Sequence, residues 1–405
     1  MTVPMSGRDV PATTGPLAGL GAAAGAAVLT GCPPGTQPAE PTAASAAEAA
    51  LELRDQALAA LDGGDPRAGL VLAGDALTAL AAAGLAGGPD EAAVLVARAE
   101  IEEALDRFEA AAATAAAAIT LLGGYAGPGS AEGDCVLLWC QAQERQAGLE
   151  RLAGDYAAAA SRLTMVLDTA AGAFGERSPA VASAANALGV VCKYAGDFDA
   201  AEAAYQRAMA AAGGLEGADP LTQAGLLHNL GGLAHSRGDA AAGIPLAERG
   251  LALRAGALGA SHPDVARDAN ALGALYHLAG RYRDAGRAYT RALAVFEHCY
   301  GPDHFEVAMT CANLAVLHAD QARFPAAESA GRRALRVLET LLGPDDAEVG
   351  LTLLNLAAAV AGQRRHDEAA ELAARAEAIL AARLPAGHPH LAAARDALAH
   401  LKEPS

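Results

Sequence analysis

Residues 262–303 decide the fold, and their sequence is HPDVARDANALGALYHLAGRYRDAGRAYTRALAVFEHCYGPD. Apolar residues such as Leu275 recur at helical spacing before Gly280, and residues such as Phe296 continue that spacing after it. A glycine commonly ends a helix, and a proline commonly opens one. The stretch therefore predicts two helices joined by a tight turn at Gly280, with Pro263 at the start of the first helix.

This two-helix pattern repeats every 42 residues along the chain. The turn position is occupied in successive repeats by Gly154, Gly196, Gly238, Gly280, Ala322 and Arg364. Five residues later stands a column of small residues: Ala159, Ala201, Gly243, Ala285, Ala327 and Ala369. Small side chains let two helices cross with their backbones close together, so this column predicts the packing contacts between paired helices.

The repeated residues resemble the tetratricopeptide repeat in its 42-residue kinesin light chain form. The resemblance implies an all-α fold, a right-handed superhelical solenoid of antiparallel helix pairs. In that family the first helices line a concave groove and the second helices form the convex face. By this pattern we expect about eight repeats, at residues 45–86, 89–123, 131–173, 179–213, 221–257, 263–300, 305–342 and 347–384.

The regularity of the pattern suggests how the chain is organised. We expect degenerate N-terminal repeats and a Gly-rich loop in residues 45–130, because the loop between repeats is short there and six extra residues precede the third turn. Residues 131–387 are expected to form the regular array. Residues 388–405 are expected to form a capping helix and a tail.

Composition supports the helical prediction and excludes some partners. The chain is 53% hydrophobic but only 4% aromatic, and much of the apolar content is alanine, the strongest helix former. A formal net charge of −18 would repel phosphate backbones, so we expect no nucleic-acid binding.

The N-terminal segment predicts a targeting signal rather than a folded domain. Residues 16–29 form an apolar run of 14 residues, which matches a signal-peptide core and is shorter than the roughly 20 residues of a membrane-spanning helix. Residues 29–32, LTGC, resemble the lipobox of bacterial lipoproteins, in which the cysteine is lipidated. We therefore expect a signal peptide in residues 1–32, a lipid anchor at Cys32, a Pro-rich linker in residues 33–44 and a location at the cell envelope. The alternative is a disordered leader on a cytoplasmic protein.

The resemblance places the binding groove on the first helices. The inward-facing candidates are Asn186, Lys193, Tyr194, His228, Asn229, His235, Arg267, Asn270, His277, Asn313 and Asn355, and Ser183, Met309 and Asp320 share that face. An asparagine amide offers both a donor and an acceptor, so a ladder of asparagines is suited to the backbone of an extended peptide, the role associated with such asparagines in the kinesin light chain type. The alternative is that these asparagines only pack where helices cross.

Five of these candidates are basic or are histidines, which predicts a locally basic groove in an acidic protein. They are Lys193, His228, His235, Arg267 and His277. Such a groove would favour an acidic peptide because opposite charges attract and wrong partners are repelled. The alternative is that the histidines are simply solvated or packed.

The sequence offers no recognisable catalytic, cofactor or metal site. It contains no GxSxG, HExxH, GxxxxGK[ST] or CxxC motif. His388, His390 and His400 cluster near the C-terminal cap, but no cysteine or carboxylate completes a metal site with them, so a structural role is expected. We therefore expect no enzyme activity and no cofactor. The five cysteines after Cys32 are expected to be buried, although Cys299 and Cys311 flank one loop and could form a disulfide in an exported protein.

These observations favour a scaffold that binds a protein or peptide partner and is tethered to the cell envelope. One alternative is a cytoplasmic adaptor or regulator of the same fold. Another is an accessory regulatory subunit for an enzyme that is supplied in trans.

Overall fold

The computed structural model describes residues 42–124, 133–213, 219–384 and 388–402. Every regular element within these ranges is an α-helix, 17 in all. The helices belong to two compact units, an N-terminal unit up to residue 218 and a C-terminal unit from residue 219 onward. The predicted signal peptide, Cys32 and most of the Pro-rich linker lie outside the described residues.

The N-terminal unit contains four helix pairs. Its helices are α1 (Ala43–Asp62), α2 (Pro66–Ala82), α3 (Pro89–Ala104), α4 (Phe108–Leu122), α5 (Gly133–Leu152), α6 (Tyr156–Phe174), α7 (Pro179–Ala195) and α8 (Phe198–Ala211). Each odd-numbered helix packs against the next even-numbered one.

The C-terminal unit contains four further pairs and one closing helix. Its helices are α9 (Pro220–Ser236), α10 (Ala240–Leu258), α11 (Pro263–Leu278), α12 (Tyr282–Tyr300), α13 (Phe305–Asp320), α14 (Phe324–Leu342), α15 (Ala347–Ala361), α16 (His366–Arg383) and α17 (Pro389–Lys402). The predicted all-α stack of about eight helix pairs with a C-terminal capping helix is therefore confirmed.

Local sequence explains where the helices begin and end. Gly154, Gly196 and Gly280 adopt φ values of 83°, 80° and 71°. This left-handed region can end a helix, and glycine adopts it without steric strain because it has no Cβ. Ala322 and Arg364 occupy the same turn position at φ 55° and 64° without glycine's freedom. The 42-residue register thus fixes the turn even where the residue type is unfavourable.

The column of small residues lies at the crossing of paired helices. Ala159, Ala201, Ala285, Ala327 and Ala369 are completely buried. At Gly243 on α10, an added Cβ would lie 3.1 Å from Ala234 Cβ of the paired helix α9 and 2.5 Å from Leu275 Cδ2 of α11 in the next repeat. A larger side chain at this position would therefore crowd both its own helix pair and the following repeat.

Contacts between repeats give each unit an inner face. Consecutive first helices contact one another, as α5 does α7 and α11 does α13. Consecutive second helices make no comparable contact within the described residues. Because the first helices are drawn together, each stack is tighter on their side, and that side is the inner face.

No helix of the described residues is both long and apolar enough to cross a membrane. The prediction that the cysteines are buried holds for Cys135, Cys140, Cys192 and Cys311, but it is wrong for Cys299, which is exposed. All five are free thiols. The Cys299 Sγ lies 3.8 Å from the Ser261 carbonyl oxygen, not against Cys311.

Candidate functional site

The predicted groove residues of the C-terminal unit lie on α9, α11, α13 and α15. We call the surface formed by α9, α11 and α13 the C-terminal inner face. His228, Asn229, Asn270, His277 and Asn313 are each partly buried on these helices. They therefore keep some solvent access while also contacting the rest of the unit.

His228 belongs to a three-residue cluster that joins three helices. Its Nδ1 lies 2.9 Å from Asp268 Oδ1, and the other Asp268 oxygen accepts a 2.7 Å hydrogen bond from Arg254 Nε. Asp268 is only 4% exposed. The cluster links α9 and α10 of one repeat to α11 of the next, so His228 is held by a buried and already balanced carboxylate.

Arg267 is also held by carboxylates. Its Nε donates a 2.8 Å hydrogen bond to Glu306 Oε1 on α13, and its Nη1 pairs with Asp264 on its own helix. A weaker 3.3 Å bond runs from Nη2 to the Tyr300 hydroxyl. The positive charge that the sequence suggested for the groove is therefore paired within the unit.

Two further polar contacts link α11 to α13. His277 Nε2 lies 2.8 Å from Asp320 Oδ2, and the His277 ring meets the Tyr282 ring edge-on. Asn313 Nδ2 donates a 3.4 Å hydrogen bond to Asn270 Oδ1. The partners in these two bonds are each 43 residues apart, close to one repeat, so each bond joins similar positions in neighbouring repeats.

Asn355 differs from the other asparagines because it is 7% exposed, in a helix that is buried on nearly every side. The inner positions of α15 include Leu351 and Leu354, which belong to the core beneath the closing helix α17. The open part of the C-terminal inner face therefore ends at α13. His235 lies in the last turn of α9 and is partly buried.

In the N-terminal unit, two cationic side chains lie over the ring of Tyr194. Arg151 Cζ and Lys193 Nζ lie 4.9 and 4.8 Å from the centroid of its ring. A ring face attracts cations through its quadrupole. We call Arg151, Lys193 and Tyr194 the cation–tyrosine cluster. It is formed by the C-terminal ends of α5 and α7, and Asn186 lies two turns earlier on α7.

The remaining inner face of the N-terminal unit carries carboxylates that the sequence analysis did not select. Ser183 Oγ donates a 2.7 Å hydrogen bond to Glu144 Oε2, across α7 and α5. Burial raises the pKa of Glu144 to about 7, although the bond from Ser183 and the charge of Arg145 lower it. Arg145 itself reaches Glu100 Oε2 on α3 at 2.5 Å. The sequence analysis missed Glu144 and Arg145 because their only signal is the distance along the chain to their partners, 39 residues from Glu144 to Ser183 and 45 residues from Arg145 to Glu100.

The histidines of the inter-repeat loops have a structural role. His262, His304 and His388 each accept a 3.2 Å hydrogen bond at Nδ1 from the backbone N–H two residues later. Each therefore caps the start of a first helix or of α17, as Asp346 does for α15. Burial lowers the pKa of His304, and a neutral imidazole is the form that can accept this bond.

No group of three or more His, Cys, Asp or Glu side chains suited to a metal ion exists among the residues that the structure covers. The His388 and His390 rings lie 5.0 Å apart, and His388 is occupied as a helix cap. His400 contacts the Asp396 carbonyl of its own helix.

The comparisons with known proteins identify the repeat. A sequence model of the tetratricopeptide repeat matches residues 140–213, 222–298, 270–340 and 307–382. The matched ranges together cover more than half of the chain. No curated protein matches the sequence.

Several solved structures are similar in fold. The crystal structure of BtubC (BKLC) from P. vanneervenii is 26% identical over 58% of this chain and 93% of its own, with a TM-score of 0.48. A Rap protein complexed with competence and sporulation factor is 11% identical over 88% of this chain and 98% of its own, with a TM-score of 0.56. The apo form of RapI is 13% identical over 73% and 77%, with a TM-score of 0.51. At these identities the two Rap structures show a shared fold alone.

Proposed function

Because the chain belongs to the tetratricopeptide repeat family, we propose that it is a non-enzymatic scaffold that binds an extended peptide segment of a partner protein on its C-terminal inner face. The observation that carries this proposal is the Asn270–Asn313 bond. The bond uses one half of each amide and holds both side chains in place. The other halves, Asn270 Nδ2 and Asn313 Oδ1, remain for a ligand.

A peptide main chain suits this arrangement because it presents N–H donors and C=O acceptors in every residue. No described residue bonds to Asn270 Nδ2 or to Asn313 Oδ1, and neither atom is buried. A donor and an acceptor are thus offered side by side on α11 and α13. The fold is compatible with ligand binding, since a Rap protein of the same fold was crystallised in complex with competence and sporulation factor.

The test begins with peptides of random sequence displayed in a library and selected on the full chain. The double variant Asn270→Ala/Asn313→Ala should bind the selected peptides about ten-fold more weakly, since each lost hydrogen bond is worth about 0.5–1.5 kcal/mol. Thr290→Ala is the matched control because Thr290 is exposed on the second helix α12 of the same unit. Unchanged affinity in a correctly folded double variant, measured by fluorescence anisotropy, would contradict the proposal.

We further propose that the cation–tyrosine cluster of the N-terminal unit is itself a binding point for acidic peptides. On the C-terminal inner face, Arg267, His228 and His277 already contact carboxylates, so they offer little attraction to an acidic ligand. Arg151 and Lys193 both lie over the Tyr194 ring, which brings two positive charges together at one point. Acidic peptides should bind more tightly than basic peptides at low salt, and Arg151→Ala should reduce that difference. Equal binding of both sets by the natural chain would exclude the preference.

Attachment to the cell envelope is a separate proposal that rests on the sequence of residues 29–32, LTGC. Lipidation at Cys32 would hold the binding unit at a membrane surface through acyl chains. Labelling with palmitate in a bacterial host should mark the natural chain, and Cys32→Ala should abolish the label. Globomycin should block processing of the natural chain. An unlabelled natural chain would favour the cytoplasmic adaptor instead.

A further inference from the structure

Asp268 is the most enclosed charged residue of the C-terminal inner face, and it contacts a predicted ligand-binding histidine. Its carboxylate is 4% exposed and receives Arg254 on one oxygen and His228 on the other. A buried carboxylate normally requires partners for both oxygens, and here both are present.

The contact with Asp268 decides which nitrogen of His228 carries the proton. A carboxylate oxygen only accepts hydrogen bonds, so the Nδ1 atom 2.9 Å away must be the donor. A neutral imidazole carries a single N–H, and therefore Nε2 is left with an exposed lone pair. The tautomer is fixed by a neighbour, as it is for histidines that donate to a carboxylate in metal sites.

The lone pair of Nε2 is accessible. The His228 side chain is 22% exposed, and no described residue bonds to Nε2. Nε2 has no hydrogen-bond partner in the part of the chain that the structure describes and is not a buried atom, so it reaches solvent at the inner face. The atom therefore lies on the same face as the amides of Asn270 and Asn313.

We propose that Asp268 is a positioning residue that holds His228 as a hydrogen-bond acceptor, so that this point of the groove takes an N–H group of the bound peptide. This inference rests on the proposed peptide binding and adds its polarity. His228 Nε2, Asn270 Nδ2 and Asn313 Oδ1 then present an acceptor, a donor and an acceptor on three successive repeats. An acceptor held in place rejects a carbonyl or carboxylate at that point because two acceptors repel.

The polarity of His228 can be reversed with little change of shape. In Asp268→Asn, the amide oxygen still accepts from Arg254, and the amide nitrogen donates to Nδ1. The proton then moves to Nε2, which becomes a donor. The matched control is Asp284→Asn, which alters a carboxylate paired with Arg281 and Arg287 on the second helix α12.

The first measurement is nitrogen NMR of the full chain labelled with ¹⁵N-histidine at pH 8, with His228 assigned through His228→Gln. We expect His228 in the Nδ1–H tautomer in the natural chain and in Asp284→Asn, and in the Nε2–H tautomer in Asp268→Asn. An Nε2–H tautomer in the natural chain would overturn the inference without any binding experiment. The natural chain alone therefore tests the inference even if Asp268→Asn does not fold.

The second measurement uses the library-selected peptides, synthesised with each backbone N–H in turn replaced by N–CH₃. One methylated position should weaken binding to the natural chain and to Asp284→Asn about ten-fold, and should have little effect on His228→Ala, because no acceptor remains there. If every methylated peptide loses the same affinity for the natural chain and for His228→Ala, the role of His228 is refuted.

The two proposals fail in different ways. Binding that depends on Asn270 and Asn313 but shows no coupling between a methylated position and His228 removes only the inference about Asp268. Binding that is insensitive to both asparagines, or the absence of any selected peptide, removes the proposed function and this inference with it.

Discussion

The glycine at position 189 gives a quantitative test of how closely paired helices must approach. Gly189 lies in α7 against Tyr205 of α8, and an added Cβ would lie 2.5 Å from both Cδ1 and Cε1 of that ring. Tyr205 is completely buried, so the ring cannot move into solvent. Overpacking of this kind costs about 1–3 kcal/mol, and the better helix propensity of alanine returns about 0.5–1 kcal/mol. We expect Gly189→Ala to lower the free energy of unfolding of the N-terminal unit by about 1–2 kcal/mol.

The only tryptophan provides the assay. Trp139 is 8% exposed in α5 of the same unit, so its fluorescence reports unfolding of that unit in urea. Gly148→Ala is the matched control, since Gly148 also lies within a helix and its added Cβ would meet nothing within 4 Å. The control should raise the free energy of unfolding by about 0.5–1 kcal/mol. If Gly189→Ala is as stable as Gly148→Ala, the close approach of α7 and α8 is not a packing requirement.

Three further predictions concern titration and thiol chemistry. Burial raises the pKa of Glu144 from 4.5 to about 7, so its protonated form stabilises the folded chain fully below pH 4.5, and that contribution is lost as the pH rises through 7. Urea unfolding between pH 4 and 8 should show a smaller loss of stability in Glu144→Gln than in the natural chain. An unchanged pH profile would contradict a buried carboxyl. Burial lowers the pKa of His304 from 6.5, so the contribution of this residue to stability is complete above pH 6.5 and is lost as the pH falls through its folded-state pKa. His304→Asn keeps a helix cap that does not titrate, and in thermal unfolding it should lose less stability than the natural chain between pH 7 and 5. Equal losses would refute a role for this cap. Cys299 is exposed, whereas Cys311 is buried and burial raises its pKa, so Ellman's reagent should modify Cys299 quickly and Cys311 only after unfolding. If Cys299 of the native chain reacts only after treatment with reductant, a disulfide is indicated instead.

The fold was predictable because the information is local and repeated. A turn glycine such as Gly196, a small residue such as Ala201 and a proline such as Pro179 recur at one spacing, and each fixes one feature of a helix pair. The division of the chain at residue 218 was not predicted. Nothing in the 42-residue period marks it, because the period continues from one unit into the next.

The helices that carry the candidate residues were predictable, but the charge pairing of those residues was not. The register placed Arg267 and His277 on first helices, and the structure confirms that they lie there. Their carboxylate partners, Glu306 and Asp320, are 39 and 43 residues away and each appears solvated when its own helix is considered alone. A sequence pattern within one repeat therefore shows a basic residue, whereas the stacked repeats show an ion pair. Searching for opposite charges about one period apart would have found both pairs.

The same register also explains where the open groove ends. Positions 267 and 270 of α11 correspond, at one 42-residue period, to Met309 and Ala312 of α13, which are 5% and 2% exposed, so the change to apolar residues begins on α13 and Met309 lies in the core rather than on the inner face. At twice the period they correspond to Leu351 and Leu354 of α15. Arg267 keeps 25% of its side chain exposed while it bonds to the next repeat, whereas Leu351 and Leu354 are 3% and 5% exposed. Polar side chains can hold neighbouring first helices together through directional bonds and still face water, but leucines gain free energy only by excluding it. The change from arginine and asparagine to leucine therefore converts a ligand-accessible face into core, and α17 covers that core rather than extending the groove.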